Sequence, residues 1–317
     1  MNRTVITECI LTTLNLPGVG KVTAAKLLVS LNIKKPDTLA FRDSILYNPL
    51  ANKRVKFGES DYDLANQLAR NVIDDSEKQG VEILNFMETD YPNSLHELSD
   101  APLVLYLKGN RSLIKQTETV AIVGTRNPTP HALHRGREIA EQAARKGMNI
   151  VSGLALGSDT VAHEAVVNAG GYTTAVLAHG LDTVYPKQNK KLAAQILNCS
   201  GLLVSEYPPG TPMKSYQLTE RDRIQAGMAN GLIVIETGVK GGTQHAIRHM
   251  KELGRPIACI FSHSEREKLI ESVQGNRLLI EDDGATALVN DSDTEAFLET
   301  VMHSRLKDTE TQGELNL

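Results

Sequence analysis

Two hydrophobic patterns alternate along residues 80–261. Short apolar runs at 81–86, 102–107, 119–123, 149–152, 173–177, 202–205, 232–236 and 256–261 read as strands. In Val120-Ala-Ile-Val123 the apolar positions are consecutive, the pattern of a strand covered on both faces. Between the last six runs lie stretches with helical spacing, at 131–146, 159–169, 188–198, 218–229 and 242–253. In the second of these, Val161, Ala162, Ala165 and Val166 form one stripe. Strand–helix alternation of this kind predicts right-handed crossovers, so the expected class is α/β, a mostly parallel sheet with helices on both faces.

The first part of the chain has a different pattern. Residues 4–31 read as two short helices, with Val5, Ile6, Ile10, Leu11 and Leu14 on one and Val22, Ala25, Leu28 and Leu31 on the other. Leu16-Pro-Gly-Val-Gly-Lys21 joins them and resembles the loop of a helix-hairpin-helix motif. Gly18 and Gly20 allow backbone amides to approach a phosphate, and Lys21 adds charge at the second helix's start. Such hairpins serve either nucleic-acid contact or packing. From 37 to 75 the pattern stays helical and polar, with a loop expected around 48–53. Three units are therefore expected: a basic helical module (helix-hairpin-helix or SAM-like) over 1–75, the α/β domain over 76–290, and an acidic tail over 291–317. The tail offers at most one amphipathic helix, near 293–305.

Composition narrows the class without naming a ligand. A hydrophobic fraction of 41% and a charged fraction of 23% are ordinary for a globular chain. No apolar run approaches the ~18 residues of a membrane span. Glu8 interrupts the only apolar patch near the start and no small-residue cleavage site follows, so a cytoplasmic protein is expected. Cys9, Cys199 and Cys259 are scattered, as reduced thiols would be, and lack metal-ligand spacing. The net charge of −4 hides an asymmetry: residues 1–57 hold nine Lys/Arg against three Asp/Glu, and residues 281–317 hold two against ten. A basic module suits a polyanion and an acidic end repels one, although both also fit a solvated surface.

The candidate chemistry clusters where strands end. Gly124-Thr125-Arg126 supplies backbone room, a hydroxyl and a planar cation at the start of a helix, an arrangement suited to phosphate. Ser152-Gly153-Leu-Ala-Leu-Gly157-Ser158-Asp159 is a second such loop, with Asp159 placed as a helix cap. His163, on the helix that follows, reads as a packing or hydrogen-bonding residue rather than a catalytic one. Lys187, Arg221 and Arg223 lie near helix starts, where the dipole disfavours cations, and a nearby anion explains them better than helix stability does. Lys240-Gly-Gly242-Thr243, after a strand ending in Glu236, forms one more glycine loop. There is no nucleophile–base set, no metal cluster, no Walker lysine and no G-x-G-x-x-G fingerprint. The chemistry implied is binding, with no catalytic residues, metal or cofactor.

Read in order, these motifs resemble the DNA-processing protein A (DprA/Smf) family. Asp90-Tyr-Pro, Leu105-Tyr-Leu-Lys-Gly-Asn110, Val120 to Arg126, Val151-Ser-Gly-Leu-Ala155, Gly180-Leu-Asp182, Tyr185-Pro-Lys-Gln-Asn189 and Ser205-Glu-Tyr-Pro-Pro-Gly-Thr211 carry the likeness, together with Arg221 to Ile224 and Glu236. It implies an extended Rossmann-like domain that binds single-stranded DNA, dimerises through that domain and helps load the RecA recombinase during natural transformation. It further implies that Arg126 and Lys187 line the DNA pocket, with Arg221 and Arg223 on the same path. The full expected DNA-binding set is Gly124, Thr125, Arg126, Ser152, Gly153, Lys187, Arg221, Arg223, Gly242 and Thr243, with Gly18, Gly20 and Lys21 as a secondary contact.

The chain also departs from the family pattern. Leu156 stands where an arginine is often found, Asp222 divides the two arginines, and no winged helix follows. Divergence of this kind also fits an accessory or antitoxin protein of a phage-defence locus, with a cognate toxin as partner. A second class, a LOG-like nucleotide phosphoribohydrolase, shares glycines before a helix and a glutamate, but here the proline before the glycines is missing.

Overall fold

The computed structural model describes residues 3–31, 38–48, 57–261 and 270–304. Most of the loop expected around 48–53 and the polar end after Ser304 lie outside these residues. Helices α1 (Arg3–Asn15), α2 (Lys21–Ser30), α3 (Thr38–Leu46) and α4 (Glu59–Lys78) come first. Strand β1 (Glu82–Asn85), one helical turn α5 (Asn93–His96) and β2 (Val104–Gly109) follow. The alternating region then runs β3 (Thr119–Val123), α6 (Pro130–Arg145), β4 (Asn149–Ser152), α7 (Ser158–Asn168), β5 (Tyr172–Leu177), α8 (Lys190–Asn198) and β6 (Leu202–Ser205). It continues with α9 (Ser215–Met228), β7 (Leu232–Val234), α10 (Thr243–Glu252), β8 (Ile257–Ile260), α11 (Glu271–Glu281), β9 (Thr286–Leu288) and α12 (Asp291–Ser304).

These strands form one nine-stranded sheet in the order β1-β2-β6-β5-β4-β3-β7-β8-β9. The pairs from β6 through β9 are parallel, whereas β2 joins β6 and β1 joins β2 antiparallel. Successive strands step outward from β3 through β4 and β5 to β6, and the chain then crosses back to lay β7 on the other side of β3. The order thus reverses at β3, and open α/β sheets form a crevice beyond the strand ends at such a reversal.

All five residues of β3 are buried, as a strand with helices on both sides requires. Their alternation splits the core. Val120 and Ile122 pack with Ile139, Ile150 and Ile233 on one face, while Ala121 and Val123 pack with Ala226, Val234 and Ile247 on the other. The first helices share a third cluster with the sheet, in which Ile10, Leu27 and Leu28 meet Tyr106, Leu177 and Leu203.

Two parts of the fold differ from the sequence expectation. Helix α11 and strand β9 had no counterpart in it, because α11 buries only Gly275, Asn276 and Leu279 and β9 has three residues. Helix α12, expected in an acidic tail, packs into the core through Phe297, Leu298 and Val301 beside Val120 and Ile122. Its carboxylates have partners in the same chain: Asp291 pairs with Arg135 at 2.9 Å, and Glu295 and Glu299 pair with Lys146 at 3.2 and 3.6 Å. The acidic charge of this stretch therefore dresses α6, and the chain from 291 to 304 is continuous with the sheet's core.

Candidate functional site

Three segments meet where β3 ends. At Gly124 a Cβ would lie 2.3 Å from Ser158 Oγ and 3.0 Å from the Glu236 carbonyl, so only glycine lets the start of α7 and the end of β7 close on the strand. Ser158 Oγ donates to the Thr125 carbonyl at 2.9 Å, and Thr125 N–H donates to the Glu236 carbonyl at 2.7 Å. At Gly157 the backbone has φ 80°, and a Cβ there would lie 2.4 Å from the Arg126 carbonyl. The Thr125–Arg126 backbone is thus clamped from both sides. Arg126 itself is exposed and makes no ion pair among the described residues.

Gly124, Thr125, Arg126, Arg221, Gly242 and Thr243 line one crevice of about 440 Å³ at this edge. Its far wall is the Gly238–Gly242 loop and the start of α10, where the N-cap Gly242 supplies no side-chain cap and the positive end of the helix borders the crevice, although the Gln244 and His245 amides donate to the Gly241 and Gly242 carbonyls. Lys240, exposed and without an ion pair among the described residues, stands on the same rim. Glu236 beneath it is 2% exposed and fully engaged: Oε2 accepts from Thr129 N–H at 3.0 Å and Oγ1 at 2.7 Å, and Oε1 accepts from Ser272 Oγ. Its carboxylate ties three loops together and presents no open oxygen to a substrate.

The crevice floor differs in sign from its rim. Arg221 is buried; its Nη1 donates to the Val176 carbonyl at 2.8 Å and its Nε to Asp222 Oδ1 at 3.0 Å. Asp159 and Asp222 both line the floor. Burial pushes the Asp222 carboxyl up to about 6, opposed by the Arg221 guanidinium, and burial raises Asp159 as well. Asp159 is not the expected helix cap, since the N-cap of α7 is Gly157; its Oδ2 accepts from Gly153 N–H at 3.1 Å and Ala155 N–H at 3.2 Å and so holds the loop after β4. Gly153 lies under Arg221, with no room for a Cβ. Ser152 is fully buried and donates to the Ile122 carbonyl at 2.7 Å.

The other expected residues stand apart from the crevice. Arg223 is 3% exposed; its Nε meets Asp100 at 2.7 Å and its Nη2 meets both oxygens of Glu206 at 2.9 Å. Helix α9 begins at Ser215, so Arg221 and Arg223 lie in mid-helix rather than near its start, and the anions that meet Arg223 are the protein's own. Lys21 likewise reaches Glu206 at 3.0 Å and Glu220 at 3.2 Å, with Gly18 in the turn before it and Gly20 as the N-cap of α2. Lys187 is exposed in the 3₁₀ turn Lys187–Asn189, outside the crevice and unpaired among the described residues. Its turn is nonetheless tied to the crevice border, because Asn189 Nδ2 donates to the Leu154 and Ala155 carbonyls at 2.9 and 3.2 Å. The sequence signal for the floor was the carboxylate between the two arginines; its pairing with Arg221 and its closeness to Asp159 needed the fold. Among the described residues no group of three or more His, Cys, Asp or Glu is placed to hold a metal, and no helix is long and apolar enough to cross a membrane.

The family model for DNA recombination-mediator protein A matches residues 82–299. DNA processing protein DprA of Bacillus subtilis is 34% identical over 183 residues, 58% of this chain and 61% of that protein. DprA of Streptococcus pneumoniae is 38% identical over 176 residues, 56% of this chain and 61% of that protein. Protein Smf of Escherichia coli is 35% identical over 167 residues and is covered to 44%. The chain thus spans about half the length of the curated relatives it matches. The X-ray structure of the pneumococcal DprA superposes with a TM-score of 0.70 at 28% identity, covering 92% of this chain and 95% of that one. DNA processing protein A from Helicobacter pylori, whose structure was described for its single-stranded DNA binding mode, gives 0.61 at 28% identity, covering 72% and 96%. The family match starts at β1, ends within α12 and takes in every strand on both sides of the crevice, so this chain belongs to the DNA recombination-mediator protein A (DprA/Smf) family.

Proposed function

We propose that the crevice binds single-stranded DNA with little regard to sequence, as part of DNA processing and recombination. The observation that carries this reading is the convergence of the exposed Arg126 and Lys240 with the positive end of α10 on one sheet edge. Unpaired cations and a positive helix end at the rim suit phosphate oxygens, and phosphate contacts without base readout give salt-sensitive, sequence-tolerant binding. The strand's path continues over Ala155 to Lys187, whose turn Asn189 fastens to the crevice border. Tyr185, 42% exposed beside it, offers a stacking face. The likeness to the Helicobacter pylori protein supports the same ligand. Arg221 and Arg223 serve the site as supports, since their charges are met by buried carboxylates.

Arg126→Ala and Lys187→Ala each weaken binding of an unstructured oligonucleotide. Each also lowers the slope of log K against log salt by about 0.7, the weight of one phosphate contact on a single strand. Unchanged affinity and slope in both variants, with unchanged melting temperature, reject the assignment. Family membership supports a RecA-type recombinase as protein partner and a homodimer through the α/β domain. Analytical ultracentrifugation with and without the recombinase tests both.

A further inference from the structure

We infer that Asp222 is a specificity-determining residue of the crevice: its Oδ2 accepts a hydrogen bond from the amino group of a nucleobase inserted between the end of β3 and α9, so that an amino-bearing base is favoured over thymine or uracil. The inference rests on the crevice being the single-strand site proposed above.

Charge decides which part of a nucleotide goes down. The rim carries Arg126 and Lys240, and the floor carries Asp159 and Asp222 around Arg221. On the floor the only guanidinium is already taken by Asp222 and the Val176 carbonyl, so a phosphodiester finds no free cation there and stays on the rim. A base is uncharged, and Val123, Leu218 and Ala246 give it apolar walls. A volume of about 440 Å³ falls among pockets that enclose small organic ligands. Single strands are commonly read this way, with unstacked bases hydrogen-bonded on their Watson–Crick edges.

The acceptors on the floor can then be followed one by one. Asp159 Oδ2 is taken by the Gly153 and Ala155 amides, and Asp222 Oδ1 by Arg221 Nε. No hydrogen bond among the described residues reaches Asp222 Oδ2, although the residue is only 8% exposed and lines the crevice. An acceptor left open in the crevice favours a ligand that brings a donor, and a ligand that presents an acceptor there gains no such hydrogen bond. Cytosine N4, adenine N6 and guanine N2 donate; O4 of thymine and uracil accepts. Arg221 on its own helix and Asp159 from α7 act directly on Asp222, and the other charged or titratable groups that line the crevice with it are Arg126 from the β3 loop, and Lys240 and His245 from the loop and helix after β7. With its carboxyl pushed up to about 6, Asp222 is ionised and accepting at pH 8.

The test compares (dU-dC)6 with dU12, two strands of equal charge whose bases differ only in the hydrogen-bonding groups at position 4 and N3, by fluorescence anisotropy with the full chain at pH 8. The expected result is about fivefold tighter binding of (dU-dC)6, the weight of one hydrogen bond. Asp222→Asn is expected to bring the ratio close to one while tightening dU12. In the unsubstituted protein the ratio is also expected to shrink between pH 8 and pH 5 as Asp222 takes up a proton, which needs no variant to fold. A ratio near one at pH 8, or a ratio that Asp222→Asn leaves unchanged, overturns the inference while single-strand binding stands. Equal tightening of both strands by Asp222→Asn overturns it too, because the carboxylate then only repels phosphates. Binding of neither strand removes the single-strand reading and this inference with it.

Discussion

His163 is wholly buried on α7 with Nδ1 2.7 Å from Thr173 Oγ1, and burial pushes its imidazole down to about 3. Because the folded pKa lies below the unfolded one, the unfolded chain binds more protons between pH 6.5 and about 3, and stability falls as pH falls through that window. Asp222 has the opposite sign. Its folded pKa of about 6 exceeds the ordinary value of 3.8, so the folded state takes up the proton first and stability rises as pH falls from 6 to 3.8. Urea midpoints measured across this range are expected to show the unsubstituted protein losing stability relative to His163→Gln below pH 6.5, by at most about 1.4 kcal/mol per pH unit. A constant difference between the two would refute the burial argument. Arg223 supports a second prediction at this scale. Removing one member of a buried ion pair strands the other, so Arg223→Ala is expected to lower stability by about 3–5 kcal/mol. Oligonucleotide affinity per folded molecule should stay unchanged, because Arg223 faces Glu206 and Asp100 and not the crevice.

At the level of elements, the loops that shape the crevice depend on backbone fit more than on side-chain contact. Gly157→Ala forces a Cβ onto a residue with φ 80° and into the Arg126 carbonyl. Chemical denaturation should show a loss of about 1–3 kcal/mol, and anisotropy should show weakened single-strand binding because Arg126 is displaced. Full stability in this variant would mean that the α7 start and the β3 loop are less tightly joined than described. The main elements were legible in the sequence because strands covered on both faces write themselves as unbroken apolar runs, as in Val120-Ala-Ile-Val123. The glycine loops were legible for a related reason, since close approach at Gly124 admits no other residue. What the sequence concealed was pairing. The sequence around Arg223 suggests a helix start and hence an anion, whereas α9 begins at Ser215 and Arg223 meets Glu206 from mid-helix; nothing local tells a DNA phosphate from that glutamate, which Lys21 reaches across 185 positions. Helix α11 stayed hidden because Asn276 is buried for its amide, which donates to the Ile235 and Ile260 carbonyls, and not for apolar area.

For the molecule as a whole, one sheet carries all the layers, and both ends of the described chain are fastened to it. The first helices share a core with β2, β5 and β6, and α12 closes the core under β3. A chain ending after Asn290 loses the burial of Phe297, Leu298 and Val301, each worth about 1.5–3 kcal/mol. Such a truncation is expected to unfold at lower temperature with reduced cooperativity in calorimetry, and a melting curve identical to that of the full chain would contradict the packing described for α12. The reversal of strand order at β3 has a further consequence for the growing polypeptide on the ribosome. β3 is translated early, but its neighbour β7 and its cover α12 emerge more than a hundred residues later. Until β7 has emerged the central strand therefore has an open edge, a state that favours misassembly and chaperone capture. The crevice lining runs from Val123 to Ala246, so a growing chain that has not reached Ala246 has no complete site with which to engage DNA.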